Sequence, residues 1–134
     1  MSEARTILIV EDNALVAKFY RMALERAGGF ACVVTESVPE ILAEVEAGRI
    51  DLVILDVSLN NSEWEGRPID GIELGRLLQK HSPRPVPILL ATAHAMIGDR
   101  ERLLAASGAQ DYVEKPIYDA DLLVEKVQGL LGCT

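Results

Sequence analysis

Two adjacent carboxylates, Glu11 and Asp12, follow directly on the branched apolar run Ile7, Leu8, Ile9, Val10. Three further polar groups close apolar runs in the same way: Asp56 ends DLVILD, Thr92 ends VPILLAT and Lys115 ends AQDYVEK. Two unit charges ~4 Å apart repel by roughly 4 kcal/mol at an effective dielectric of about 20, so an acid pair at a buried strand end needs a cation or open water. If these ends meet on one rim, three carboxylates against one ammonium leave a charge that one divalent cation would neutralise. Oxygen ligands without clustered Cys or His favour a hard ion. Mg²⁺ takes one or two carboxylates, keeps several waters and leaves room for a phosphate oxygen, and a backbone carbonyl just past Asp56 can add a ligand. Taken singly, each residue has a plainer reading: Asp12 or Asn13 can cap a helix, and a lone Asp, Thr or Lys is a solvated strand end.

The elements that must bring these groups together alternate. Five short apolar runs at 6–10, 30–35, 51–56, 86–92 and 109–115 are separated by five stretches of helical periodicity. The first helix begins near Asn13, carries Val16, Phe19, Ala23 and Ala27 at helical spacing and stops at Gly28 and Gly29. The second opens on Ser37-Val-Pro-Glu40, a capping-box pattern, and closes at Gly48. The third starts at Gly71 behind Asp70 and runs through Leu74, Leu77 and Leu78 to Ser82-Pro83. The fourth spans about 98–107, and the fifth about 119–131 with Leu123, Val127 and Leu130 on one face. Strands and helices in alternation imply an α/β fold with a parallel sheet covered on both faces, DLVILD at its centre. Ligands in such sheets sit beyond the carboxyl ends of the strands, where all five polar groups lie.

The 134 residues fit one domain with a real core, at 49% hydrophobic and 25% charged content. No apolar run approaches a membrane span, and the start MSEARTILIVED is too short in apolar residues for a secretory signal, so a cytoplasmic protein is expected. A net charge of -8 repels nucleic acid and anionic lipid, which argues against direct contact with either. Cys32 and Cys133 read as reduced thiols. His81 reads as a surface residue, His94 as a neighbour of the strand-end cluster, and Met22, Met96 and Phe19 as packing.

Over essentially its whole length the sequence resembles the receiver domain of two-component response regulators. The resemblance rests on ILIVEDN, on VILDVSL around Asp56, on Asp70-Gly71, on LLATAH with Thr92, and on DYVEKPI with Tyr112, Lys115 and Pro116. It implies a flavodoxin-like, doubly wound, five-stranded parallel sheet with five helices. It further implies Mg²⁺ held by Asp12, Asp56 and the Ser58 backbone carbonyl with Glu11 assisting through water, and phosphorylation of Asp56 by a sensor histidine kinase or phosphotransfer protein. Thr92 and Lys115 would hold the phosphoryl oxygens, Thr92 and Tyr112 would form the switch toward a downstream protein target, and the bond before Pro116 would be cis. Residues 1–134 would form a single receiver domain without an output domain, either free-standing or part of a longer regulator.

The loop after Asp56 departs from that pattern. It reads DVSLNNSEWEGRPIDG, without the proline usual after Leu59 and with about seven extra residues before Asp70. Trp64, the chain's one tryptophan, lies in it between Glu63 and Glu65, and Arg67 is placed to reach the acidic rim. The loop is either a passive insertion or a recognition element beside the site. Two other functions compete. A haloacid-dehalogenase-type phosphatase needs Asp-x-Asp at one strand end, which Asp56-Val57-Ser58 lacks. A receiver-like docking module that ignores phosphate would share the fold.

Overall fold

The computed structural model describes residues 5–59, 62–93, 99–117 and 119–132. His94, Met96 and Cys133 lie outside them. Five strands, β1 (Thr6–Val10), β2 (Ala31–Val34), β3 (Leu52–Asp56), β6 (Ile88–Thr92) and β7 (Asp111–Glu114), form one parallel sheet in the order β2-β1-β3-β6-β7. The helices between them are α1 (Ala14–Gly28), α2 (Val38–Glu46), α3 (Gly71–His81), α4 (Asp99–Ser107) and α5 (Ala120–Leu131). This is the flavodoxin-like order with β3 central, and the strand order reverses beside β1 and β3. No helix among the described residues is long and apolar enough to cross a membrane.

Strand side chains alternate between faces, and the two faces carry separate cores. Leu8, Val10, Val53, Leu55, Ile88 and Leu90 pack with α2 and α3. Ile7, Ile9, Leu52, Ile54, Leu89 and Ala91 pack with α1 and α5. Because both faces are covered, β3 and β6 are buried at every position, which is why these runs are apolar throughout.

Asn13 caps α1, its Oδ1 accepting from the Leu15 and Val16 N–H groups at 3.0 and 3.1 Å, so Asp12 is not spent as a cap. Ser37 caps α2 through the Glu40 N–H, but the Glu40 carboxylate accepts from the Thr35 hydroxyl at 2.8 Å, and the Ser37 N–H turns to Thr35 as well. The reciprocal half of the capping box is therefore absent. Asp70 caps α3 by accepting from the Glu73 N–H at 2.8 Å.

The apolar face of α1 contains most of the expected stripe and extends beyond it. Ala17, Tyr20, Ala23 and Leu24 are buried, Val16 and Phe19 are half-buried and Ala27 is exposed. Val16 and Phe19 pack at the margin of the same core, with Tyr20 at its centre, so the apolar face spans two neighbouring stripes and leaves out Ala27. Met22 is also exposed rather than packed. His81 is half-buried with Nδ1 3.7 Å from Glu46.

The insertion after β3 is not a plain loop. Glu63–Trp64 (β4) and Arg67–Pro68 (β5) form an antiparallel hairpin. Its two turn residues, Glu65 and Gly66, have φ values of 53° and 80°, the left-handed pair a tight primed turn requires. The Ile69 N–H donates to the Ser62 carbonyl, the buried Ser62 hydroxyl donates to the Glu36 carbonyl, and Trp64 packs on the α2/α3 core. Arg67 pairs with Glu73 at 3.0 Å and not with the acidic rim, because the hairpin lays β5 alongside the start of α3.

Candidate functional site

Parallel strands end on one rim, and the chain places its charged residues there. Glu11 and Asp12 follow β1, Asp56 closes β3, Thr92 closes β6 and Lys115 follows β7. The Lys115 ammonium donates to Glu11 Oε1 at 2.9 Å and to Asp56 Oδ2 at 3.0 Å. Both acids are buried, their side chains 1% and 4% exposed. The second oxygen of each takes a backbone donor: Glu11 Oε2 from the Asn13 N–H at 3.1 Å, Asp56 Oδ1 from the Ser58 N–H at 3.0 Å. Asp12 is half-buried, and carboxylate oxygens of Glu11, Asp12 and Asp56 all lie within 4.8 Å of one another.

The electrostatics follow from one cation facing three acids. Burial raises the Glu11 pKa, the bonds to Lys115 and to the Asn13 N–H pull it down, the Asp56 charge pushes it up, and the balance stands at about 7. Burial works against the Lys115 ammonium too, but its bonds to Glu11 and Asp56 and their charges prevail and hold its pKa above the ordinary lysine value. A clustered, all-oxygen donor set with less positive than negative charge fits a hard divalent cation.

Two close approaches of the backbone hold the carboxyl ends of the strands in place. The Gly71 N–H donates to the Val57 carbonyl at 3.0 Å. A Cβ on Gly71 would stand 2.0 Å from the Asp56 carbonyl oxygen and 2.7 Å from the Val57 Cα, so only glycine lets α3 begin this close to the site. The Lys115 N–H likewise donates to the Thr92 carbonyl at 2.8 Å, tying the ends of β6 and β7 together.

Thr92 is 2% exposed. In the register of β6 and β7, Leu90 faces Tyr112 and Thr92 faces Glu114, so Thr92 and Tyr112 sit diagonally on one face of the sheet. Tyr112 is half-buried, with the Lys126 ammonium 6.0 Å from its ring centre. The Lys115–Pro116 peptide bond is cis. Ser58 is exposed. Tyr20 reaches this region unannounced by the sequence, since a tyrosine next to Phe19 in an apolar helical stretch carries no chemical signal. It is 1% exposed, and its hydroxyl finds no hydrogen-bond partner among the described residues.

Residues 7–128 match the family model of the response regulator receiver domain. The chain belongs to that family. Among curated proteins the receiver is similar to the polar-differentiation response regulator DivK of Brucella anthropi, 31% identical over 129 residues, which cover 96% of this chain and 97% of that protein. Among solved structures it is similar to a candidate response regulator of Chloroflexus aurantiacus, with TM-score 0.80, 30% identity and coverage of 97% and 99% of the two chains. It is also similar to the receiver domain of NtrX from Brucella abortus, with TM-score 0.77, 25% identity and coverage of 96% and 99%. The Glu11, Asp12 and Asp56 carboxylates on this chain's rim form a cluster able to hold a metal ion, which is consistent with phosphoacceptor chemistry.

Proposed function

We propose that the chain is a single receiver unit over residues 1–134 that takes a phosphoryl group onto Asp56 with Mg²⁺ and thereby controls a downstream protein in the cytoplasm. The donor is the phosphohistidine of a sensor histidine kinase or phosphotransfer protein. The observation that carries the reading is the Lys115 ammonium shared between Glu11 and Asp56, with Asp12 in the same carboxylate cluster. DivK and NtrX, the named relatives, support a signalling role of this kind.

Phosphoryl transfer asks a protein mainly for positioning and charge neutralisation. An Asp56 carboxylate oxygen forms the new bond to phosphorus while the bond from phosphorus to the donor imidazole nitrogen breaks, and hydrolysis later returns the carboxylate and inorganic phosphate. Lys115 offsets negative charge as it gathers on the transferred oxygens, and Thr92 supplies a hydroxyl at the neighbouring strand end. Asp12, Asp56 and the Ser58 carbonyl would hold Mg²⁺, with Glu11 assisting. When bound, the ion would neutralise acceptor and phosphoryl charge together. Drawing Thr92 toward Asp56 vacates space on the face it shares with Tyr112, and the Tyr112 ring moves into it, which is the two-state element a partner reads.

Incubation with acetyl phosphate tests the reading without a cognate kinase. The intact mass should rise by one phosphoryl group only with Mg²⁺, and the Asp56→Asn protein should show no rise. An equal rise in that variant would refute the assignment.

A further inference from the structure

Tyr20 and Lys115 line one cavity of about 380 Å³, between α1 and the segment that follows β7, together with Phe19, Ala93, Pro116 and Ile117. The rest of that wall is apolar, so its polar atoms have few choices of partner. Lys115 has three N–H donors, of which two reach Glu11 and Asp56. The buried Tyr20 hydroxyl has no hydrogen-bond partner among the described residues, a condition that folded proteins rarely keep without a use.

We infer that Tyr20 is a positioning residue for Lys115: its hydroxyl accepts a hydrogen bond from the ammonium when the Glu11 and Asp56 oxygens are engaged by cation and phosphoryl group. The inference rests on the phosphoacceptor reading. Burial pushes the Tyr20 pKa up to about 12, while Lys115 lowers it and Glu11 and Asp56 raise it, so the hydroxyl stays protonated and within electrostatic reach of all three. The four-carbon stem of Lys115 lets its head turn inside the shared cavity. A bond from Lys115 gives that hydroxyl the partner it lacks and holds the lysine in its working position.

Tyr20→Phe removes this one oxygen. Its melting temperature without metal should equal or exceed that of the wild type, because no bond is lost there. Its affinity for beryllofluoride in the presence of Mg²⁺ should fall about tenfold, the usual scale of a lost hydrogen bond to a charged group. A hydroxyl with a merely structural role would lower the melting temperature of the metal-free and loaded forms alike and leave the affinity unchanged, and that result would overturn the inference. Wild-type protein that binds no beryllofluoride at all would instead sink the phosphoacceptor reading on which the inference rests.

Discussion

Replacing Lys115 by Met keeps the apolar stem and deletes the ammonium that Glu11 and Asp56 share. Both acids are buried, so in metal-free protein the loss strands two carboxylates about one lysine head apart. Removing one partner of a buried ion pair costs about 3–5 kcal/mol when the remaining charge cannot escape. Here it can, because Glu11 takes up a proton. Its folded-state pKa of about 7 lies above its ordinary value of 4.5, so its contribution favours the native state in full below pH 4.5 and is lost as pH rises through 7. Without the Lys115 bond that lowers it, that pKa climbs further and the loss extends to higher pH. At pH 5 the protonated Glu11 donates to Asp56 and the substitution costs only about 1 kcal/mol. At pH 8.5 Glu11 must either hold its proton against the solvent or stand charged beside Asp56, and the cost rises to about 3 kcal/mol, a drop in melting temperature on the order of 10 °C. Urea unfolding of both proteins at the two pH values, in the presence of a chelator, measures the difference. An equal loss at both pH values would refute the account of Lys115 as the charge partner of buried acids.

Saturating Mg²⁺ should raise the melting temperature of the wild type, by about 1.4 kcal/mol of linkage at a tenfold excess over its dissociation constant, and should not do so for Asp12→Ala together with Asp56→Ala; calorimetry with and without chelator reads this. Gly71→Ala should destabilise by more than about 3 kcal/mol or slow acetyl phosphate labelling severely, since its Cβ would meet the Asp56 carbonyl oxygen at 2.0 Å, and labelling at the wild-type rate in a protein of wild-type stability would contradict this. Trp64→Ala should cost about 1–3 kcal/mol in urea, because the ring packs on the α2/α3 core; a loss near zero would mean that the hairpin is not anchored there. In the wild type, Trp64 fluorescence should change on addition of Mg²⁺ and then beryllofluoride, and no change would mark the hairpin as uncoupled from the site.

The parallel sheet was legible because burial on both faces leaves near-continuous apolar runs, and the charged residue closing each run marks the rim. Glu11, Asp56 and Lys115 are marked in this way, and Lys115 does bond to both acids. The choice between Asp12 and Asn13 as the α1 cap was not legible, since either side chain accepts from the same backbone donors. Most of the α1 face was legible, since Val16, Phe19 and Ala23 all pack on the core; Tyr20 beside Phe19 was not, because adjacent aromatics do not say from spacing alone that both turn inward. The hairpin was hidden because two-residue strands are too short to alternate, and its turn places Glu65 in a left-handed conformation more usual for Asn or Gly. Arg67 was expected at the acidic rim, but its distance from Asp56 along the chain says nothing about the reversal at Gly66 that delivers it to Glu73.

The most direct test of the central claim is chemical mapping of the acceptor. Borohydride reduces an aspartyl phosphate to homoserine, and tandem mass spectrometry of the digested protein then locates the altered residue. After acetyl phosphate and Mg²⁺ treatment, the account predicts homoserine at position 56 alone and none when the metal is chelated. Reduction at Glu11 or Asp12 instead, or at position 56 equally without metal, would contradict it.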